Sequence, residues 1–143
     1  MIANKPIIYS LQELKNVVDS IHAQLQTCNV FTFTGPLGVG KTTLIRALLK
    51  KCGIEQSITS PTFTYVNIYK DNQGNTFHHF DLYRLNSLHD FVAAGFDEYL
   101  YLPNSWSFIE WPEIIMPILT HAVCHIVLDY DDSRRSLTMQ IIK

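Results

Sequence analysis

The stretch FTFTGPLGVGKTT, residues 31–43, limits the fold more than any other part of this 143-residue chain. Its first residues, with the preceding Val30, are β-branched and aromatic, so NVFTFT has the composition of a strand. Gly35, Gly38 and Gly40 follow within a few residues, and TTLIRALLKKC then carries apolar residues at helical spacing up to Gly53. A strand that runs through a glycine-rich turn into a helix is the local plan of a phosphate-binding loop. Gly35, Gly40, Lys41 and Thr42 satisfy the pattern G-x-x-x-x-G-K-[ST].

Each residue type in that pattern has a physical reason. Several backbone N–H groups must meet one phosphate chain, and the backbone can wrap that tightly only where side chains are absent or unusual dihedrals are allowed. The helix that starts near Lys41 turns the positive end of its dipole toward the anion. Lys41 would reach the β- and γ-phosphates, and the Thr42 hydroxyl would bind Mg²⁺. The competing reading is a glycine-rich turn that caps an ordinary helix, with Lys41 solvated.

The remaining chain interleaves strands and helices. KPIIY reads as a first strand. Ser10 and Glu13 make a capping box for a helix reaching about Gln26, with Leu11, Leu14, Val17, Val18, Ile21 and Leu25 on one apolar face. TFTYVNIY and TFHHFDLYRL read as two strands around the hairpin turn KDNQGN. SLHDFVAAGFDEYL suggests a short helix. SWSFIEW is a strand stopped by Pro112, and HAVCHIVLDY with RSLTMQIIK closes the chain as a strand pair. The expectation is an α/β fold: one P-loop NTPase-like domain over residues 1–143, with a mixed parallel and antiparallel sheet and flanking helices.

Hydrolysis asks for more than a phosphate cradle: one group to help hold a metal and another to place a water. Asp81 and Glu110 each follow an apolar run at a strand end, where ligands of open α/β sheets bind. Strand alternation puts Phe77, His79 and Asp81 on one face. Thr62, in the segment TSPTF, could sense a γ-phosphate as switch threonines do. The plainer readings are a turn-capping Asp81, a solvated Glu110, a hydrogen-bonded core His79 and an ordinary Ser-Pro turn at Ser60. Trp111 would cover the nucleotide or serve the core.

A net charge of −2 gives no general attraction to nucleic acid or anionic lipid. Cys28, Cys52 and Cys124 form no CxxC pair and read as reduced thiols. The start MIANKPIIYS lacks the basic and apolar regions of a signal peptide, and no apolar run approaches the length of a spanning helix. A cytoplasmic protein is expected, with no membrane and no DNA among its partners.

In order, GPLGVGKTT, SPTF, HFDLYRL and EWPE resemble the TsaE (YjeE) family over about Phe31 to Glu113. These are bacterial P-loop ATPases of tRNA threonylcarbamoyladenosine biosynthesis. The resemblance implies ATP/ADP and Mg²⁺ as ligands, weak hydrolysis by the isolated protein, and work in a complex with TsaB and TsaD. TsaD transfers the threonylcarbamoyl group to adenosine 37 of tRNA, so contact of this chain with tRNA is expected to be indirect. By resemblance, Gly35, Pro36, Leu37, Gly38, Val39, Gly40, Lys41, Thr42 and Thr43 carry the phosphates. Thr62 belongs to a switch-like segment, and Asp81 and Glu110 serve Mg²⁺ or the attacking water, with Thr42 as a further metal ligand. The chain departs from the family at Pro36, where an acidic residue is common; proline removes an N–H and cannot donate there.

Two other classes fit the same motifs. A small-molecule kinase would need an acceptor pocket and a lid with arginines, and no long Arg-rich insertion is present. A nucleotide-gated binding module would share the loop and the switch threonine without useful turnover.

Overall fold

The computed structural model describes residues 2–3, 5–61 and 63–143. Thr62, the expected switch threonine, lies outside the described residues.

The strands are β1 (Ile2–Ala3), β2 (Ile7–Tyr9), β3 (Val30–Thr34), β4 (Val66–Lys70), β5 (Thr76–Asp81), β6 (Ser105–Glu110), β7 (Val123–Asp131) and β8 (Arg134–Ile142). Among the described residues they form one sheet in the order β1-β8-β7-β3-β6-β5-β4, with β2 also paired to β8. The centre, β7-β3-β6-β5, is parallel. The additions at both edges, β4 on one side and β8 with β1 and β2 on the other, are antiparallel. This is the mixed α/β sheet expected from the interleaved pattern.

The helices are α1 (Leu14–His22), α2 (Lys41–Lys51) and α3 (Leu88–Ala93). The Ser10 backbone N–H donates to Glu13 Oε1 at 2.9 Å and starts the first helical run, which tightens to 3₁₀ geometry at both ends. One face of the sheet is covered by α1 and α2. Val17, Val18 and Ile21 of α1 and Leu44, Ile45, Leu48 and Leu49 of α2 pack with Phe31, Phe33, Phe77 and Phe108. Burying each such aliphatic side chain is worth about 1.5–3 kcal/mol, so α2 is held firmly beneath the loop that precedes it. On the other face, Phe91 of α3 joins Phe80, Ile109 and Ile115.

Several strands are shorter than the sequence suggests, two of them near the site. TFTYVNIY becomes a strand only from Val66, because Tyr65 takes a left-handed φ of 64°. The strand TFHHFDLYRL stops at Asp81, whose Oδ1 accepts the Tyr83 N–H at 3.0 Å and turns the chain. The polar turn KDNQGN is a hairpin turn as expected: Asp71 Oδ1 accepts the N–H groups of Gln73 and Asn75, both at 2.9 Å.

The parallel centre sets the register that matters for function. Phe33 pairs with Glu110, and Glu110 with Asp81. The loop after β3 and the ends of β5 and β6 therefore meet at one edge of the sheet.

Candidate functional site

At that edge Gly35, Gly38 and Gly40 have φ of 150°, 80° and 112°. Gly35 passes so close to β7 that a Cβ would collide with the Leu128 carbonyl oxygen. Gly40, the residue before α2, faces open space where its Cβ would stand. The two glycines are needed for opposite reasons: one lets the loop approach the sheet, the other keeps the cradle empty.

The β7–β8 hairpin braces the loop from outside. Tyr130 Oη donates to the Leu37 carbonyl at 3.1 Å, and Arg135 Nε donates to the Val39 carbonyl at 3.0 Å. In a trans peptide the C=O and the following N–H point in opposite directions. Drawing these two carbonyls to the hairpin thus turns the Gly38 and Gly40 N–H groups away from it. The Arg135 guanidinium also lies over the Tyr130 ring, 4.5 Å from its centroid. Neither residue was a candidate from sequence, because no local motif marks them; the only signal is their place in a strand pair that returns beside β3.

Lys41 is 5% exposed. Its ammonium donates to the carbonyls of Gly35 and Pro36, the latter at 3.2 Å, and sits 3.8 Å from the centroid of the Trp111 ring. Burial lowers its pKa, while the charges of Glu110, Glu113 and Asp81 hold it up. Trp111 has a left-handed φ of 56°, which ends β6 and turns its ring toward Lys41 and Tyr83. Pro36 thus contributes a carbonyl to Lys41, although it has no N–H to offer a phosphate.

The Thr42 hydroxyl donates to Glu110 Oε1 at 2.7 Å, and His79 Nε2 lies 2.7 Å from Glu110 Oε2. Glu110 is 3% exposed. Asp81 is half-buried beside it; burial raises its pKa, the Tyr83 N–H opposes that, and Glu110 adds to it. Leu37, Gly38, Gly40, Lys41, Thr42, Thr43, Asp81, Glu110 and Trp111 together line a cleft of about 240 Å³. Gly35 and Pro36 lie behind it at the root of the loop, and Val39 faces the core beneath it.

The donor set suits a phosphate chain with a hard cation. One ammonium, two threonines and two carboxylates border a glycine cradle that is open at Gly40. Among the described residues no three His, Cys, Asp or Glu side chains converge as a metal centre built of protein alone. Magnesium characteristically takes one or two carboxylates and completes its shell with water and substrate phosphates. Thr42, Glu110 and Asp81 are the residues that could hold it here.

A second pocket of about 290 Å³ joins the cleft through Leu37, Asp81 and Trp111 and is bounded by Ser60, Pro61, Phe63, Tyr65, Tyr83 and Arg84. A third, of about 240 Å³, lies on the other side of the loop between Thr43, Leu11, Leu14 and Arg134.

An α/β sheet with a parallel centre, whose middle strand β3 feeds a glycine cradle and a buried lysine, makes this a protein of the P-loop class. Within that class the chain belongs to the TsaE family: the family model described as threonylcarbamoyl adenosine biosynthesis protein TsaE matches residues 8–137. The tRNA threonylcarbamoyladenosine biosynthesis protein TsaE of Rickettsia bellii is 36% identical over 137 residues, covering 94% of this chain and 93% of that protein. The protein of the same name from Borreliella burgdorferi is 36% identical over 110 residues, 77% of this chain and 79% of its own. The crystal structure of Bacillus subtilis YdiB shares the fold, with a TM-score of 0.71 over 100% of this chain and 89% of that one at 24% identity. Among the described residues no helix is long and apolar enough to cross a membrane.

Proposed function

We propose that this chain is the ATP-binding and ATP-hydrolysing subunit required for threonylcarbamoyl modification of adenosine 37 in tRNA, acting in the cytoplasm with TsaB and TsaD as a single domain. Its relatives are named for that biosynthesis. The observation that carries the ATPase reading is the Thr42–Glu110 hydrogen bond of 2.7 Å in the cleft that also holds Lys41 and Asp81. A hydroxyl from the first turn of α2 and a carboxylate from the end of β6 meet there.

The roles follow from position. The N–H groups of the loop, aligned by Tyr130 and Arg135, would take the phosphate oxygens, and Lys41 would leave the Gly35 and Pro36 carbonyls for the β- and γ-phosphates. Lys41 would mark the γ end; Thr43 borders both the cleft and the third pocket, so the third pocket would suit the nucleoside. Thr42 and Glu110 would hold Mg²⁺, which when bound neutralises charge on the phosphate oxygens. Asp81, with its pKa raised by burial, suits the group that orients a water and accepts its proton as the water oxygen bonds to phosphorus and the β–γ bridge breaks, giving ADP and phosphate. Thr62 would belong to a switch-like segment.

The test compares two variants. Asp81→Asn should keep Mg²⁺–ATP affinity within a few fold and slow turnover by about 10²-fold, the scale of a lost general base. Glu110→Gln should in addition raise the Mg²⁺ concentration needed for binding. A reversed pattern exchanges the two roles; wild-type behaviour in both variants takes both carboxylates out of the reaction, and no phosphate release by the wild-type protein, alone or with TsaB and TsaD, leaves a nucleotide-gated module.

The pocket beside the γ end gives a small-molecule kinase a place for an acceptor, which makes it the second reading. Labelled ATP decides between them: label in free phosphate alone supports the ATPase, and label in an acceptor supports the kinase.

A further inference from the structure

His79 is 1% exposed, and its Nε2 meets Glu110 Oε2 at 2.7 Å, while its Nδ1 is buried without a hydrogen-bond partner. Here the whole polar capacity of the ring is spent on Glu110. A carboxylate accepts, so the shared hydrogen is carried by Nε2. Glu110 is then fixed at both oxygens, Oε2 by His79 and Oε1 by Thr42.

We propose that His79 is a positioning residue that locks the Glu110 carboxylate so that Oε1 alone is presented to Thr42 and the cleft. The inference rests on the nucleotide-hydrolysing reading of the site and deepens it. Its physical basis is the adjacency of β5 and β6, where His79 pairs with Phe108 and Asp81 with Glu110. His79 is thereby set one pleat behind Asp81 on the same face. With an apolar residue at position 79, Oε2 would be a buried carboxylate oxygen without a donor. Glu110 would then turn to find one, and Oε1 would leave Thr42. Partners that orient a metal-binding carboxylate typically cost 10–100-fold in metal affinity or activity when removed.

Full-length His79→Leu should lower kcat for ATP about tenfold or more with KM within about threefold, and weaken Mn²⁺ binding to the protein–ADP complex by about tenfold in a spin-resonance titration. His79→Gln, whose amide nitrogen can donate from nearly the same place, should recover both to within about threefold. In a Glu110→Gln background, His79→Leu should change neither further, because its effect passes through that carboxylate. If His79→Leu loses its cooperative melt, His79→Asn takes its place, since the shorter amide does not reach Glu110. The proposal is overturned by wild-type kcat and Mn²⁺ affinity in the leucine variant, by a glutamine variant as impaired as the leucine one, or by losses that multiply in the double variant. A wild-type protein that neither binds Mn²⁺–ADP nor turns over would instead bring down the function reading, and this inference with it. Binding without turnover leaves the Mn²⁺ titration to decide.

Discussion

At the floor of the cleft the side chains are buried and bonded; at its rim they are apolar and open to solvent. Lys41, Thr42 and Glu110 each have a partner within the protein, and Lys41 and Glu110 are 5% and 3% exposed. At the rim, Phe63 is 79% exposed and Leu37 74%. The parallel strand ends and α2 hold the floor in place before any ligand arrives, which is where preorganised charge is worth most. Exposed apolar side chains contribute nothing comparable to the fold, and their grouping around one pocket is the pattern of a surface that something else covers. The floor suits the proposed phosphate chain, and the rim agrees with the proposed work inside a complex.

The sharpest way to break this division is at Lys41. Lys41→Ala should weaken ATP binding by about a hundredfold or more in calorimetric titration, the cost of removing one member of a buried charge pair. It should leave the fold intact, since the loop carbonyls it releases lie near solvent. Unchanged affinity would take Lys41 out of the phosphate site and reduce the floor to a structural turn.

The next effect tests whether the floor is aligned from behind. Arg135→Ala removes the donor to the Val39 carbonyl and frees the peptide that carries the Gly40 N–H. Nucleotide affinity should fall by about tenfold, consistent with a charge-assisted hydrogen bond worth about 1.5–3 kcal/mol shared with partial compensation by water. Affinity equal to wild type would mean the loop holds its shape alone.

What the sequence makes legible follows the same division. The loop was readable because phosphate chemistry demands particular residue types at consecutive positions. Asp81 and Glu110 were readable as polar residues that end apolar strands. Tyr130 and Arg135 were not, because their contacts depend on the pairing of β7 with β8 and of β7 with β3, which spacing alone does not disclose. The strand reading of TFHHFDLYRL runs past Asp81, whereas the turn-capping reading of Asp81 matches the structure: its side chain accepts the Tyr83 N–H, and Leu82–Leu85 turns although its residues favour a strand. His79 was placed on the correct face by alternation, yet only the β5–β6 register gives it Glu110 as a partner. The rim was legible least, since exposure of Phe63 or Leu37 carries no periodic signature.

Phe63→Ala sharpens the comparison from the other side. The melting temperature should move by no more than about 1–2 °C, as for most surface substitutions. Hydrolysis by the isolated protein should stay within about twofold, while any stimulation by the proposed partners TsaB and TsaD should drop severalfold. A loss of basal turnover equal to that of the stimulated reaction would place Phe63 with the floor.

The smallest effect separates buried polarity that serves the cleft from buried polarity that does not. His78 and His125 face away from Glu110. His78 packs against Tyr99, and His125 Nδ1 pairs with the Thr32 hydroxyl at 2.6 Å. Burial lowers both pKa values below the ordinary 6.5. Below pH 6.5 the unfolded chain takes up protons that the native chain refuses, so the unfolded state binds more protons and stability falls as pH falls toward the lowered native values. Asp81 has the opposite sign in a more acidic window: its native pKa lies above 3.8, so its contribution favours the native state at low pH and is lost as pH rises through the raised value. Between pH 7.5 and 5.5 the histidines dominate, and the melting temperature should fall by about 2–5 °C. Replacing His78 by Phe should remove part of that fall without changing ATP turnover at pH 7.5, because its ring sits in the apolar cluster behind the sheet. A pH slope that survived in this variant at full size would assign the titration to other groups; a loss of turnover would mean that the two faces of β5 are coupled through the strand.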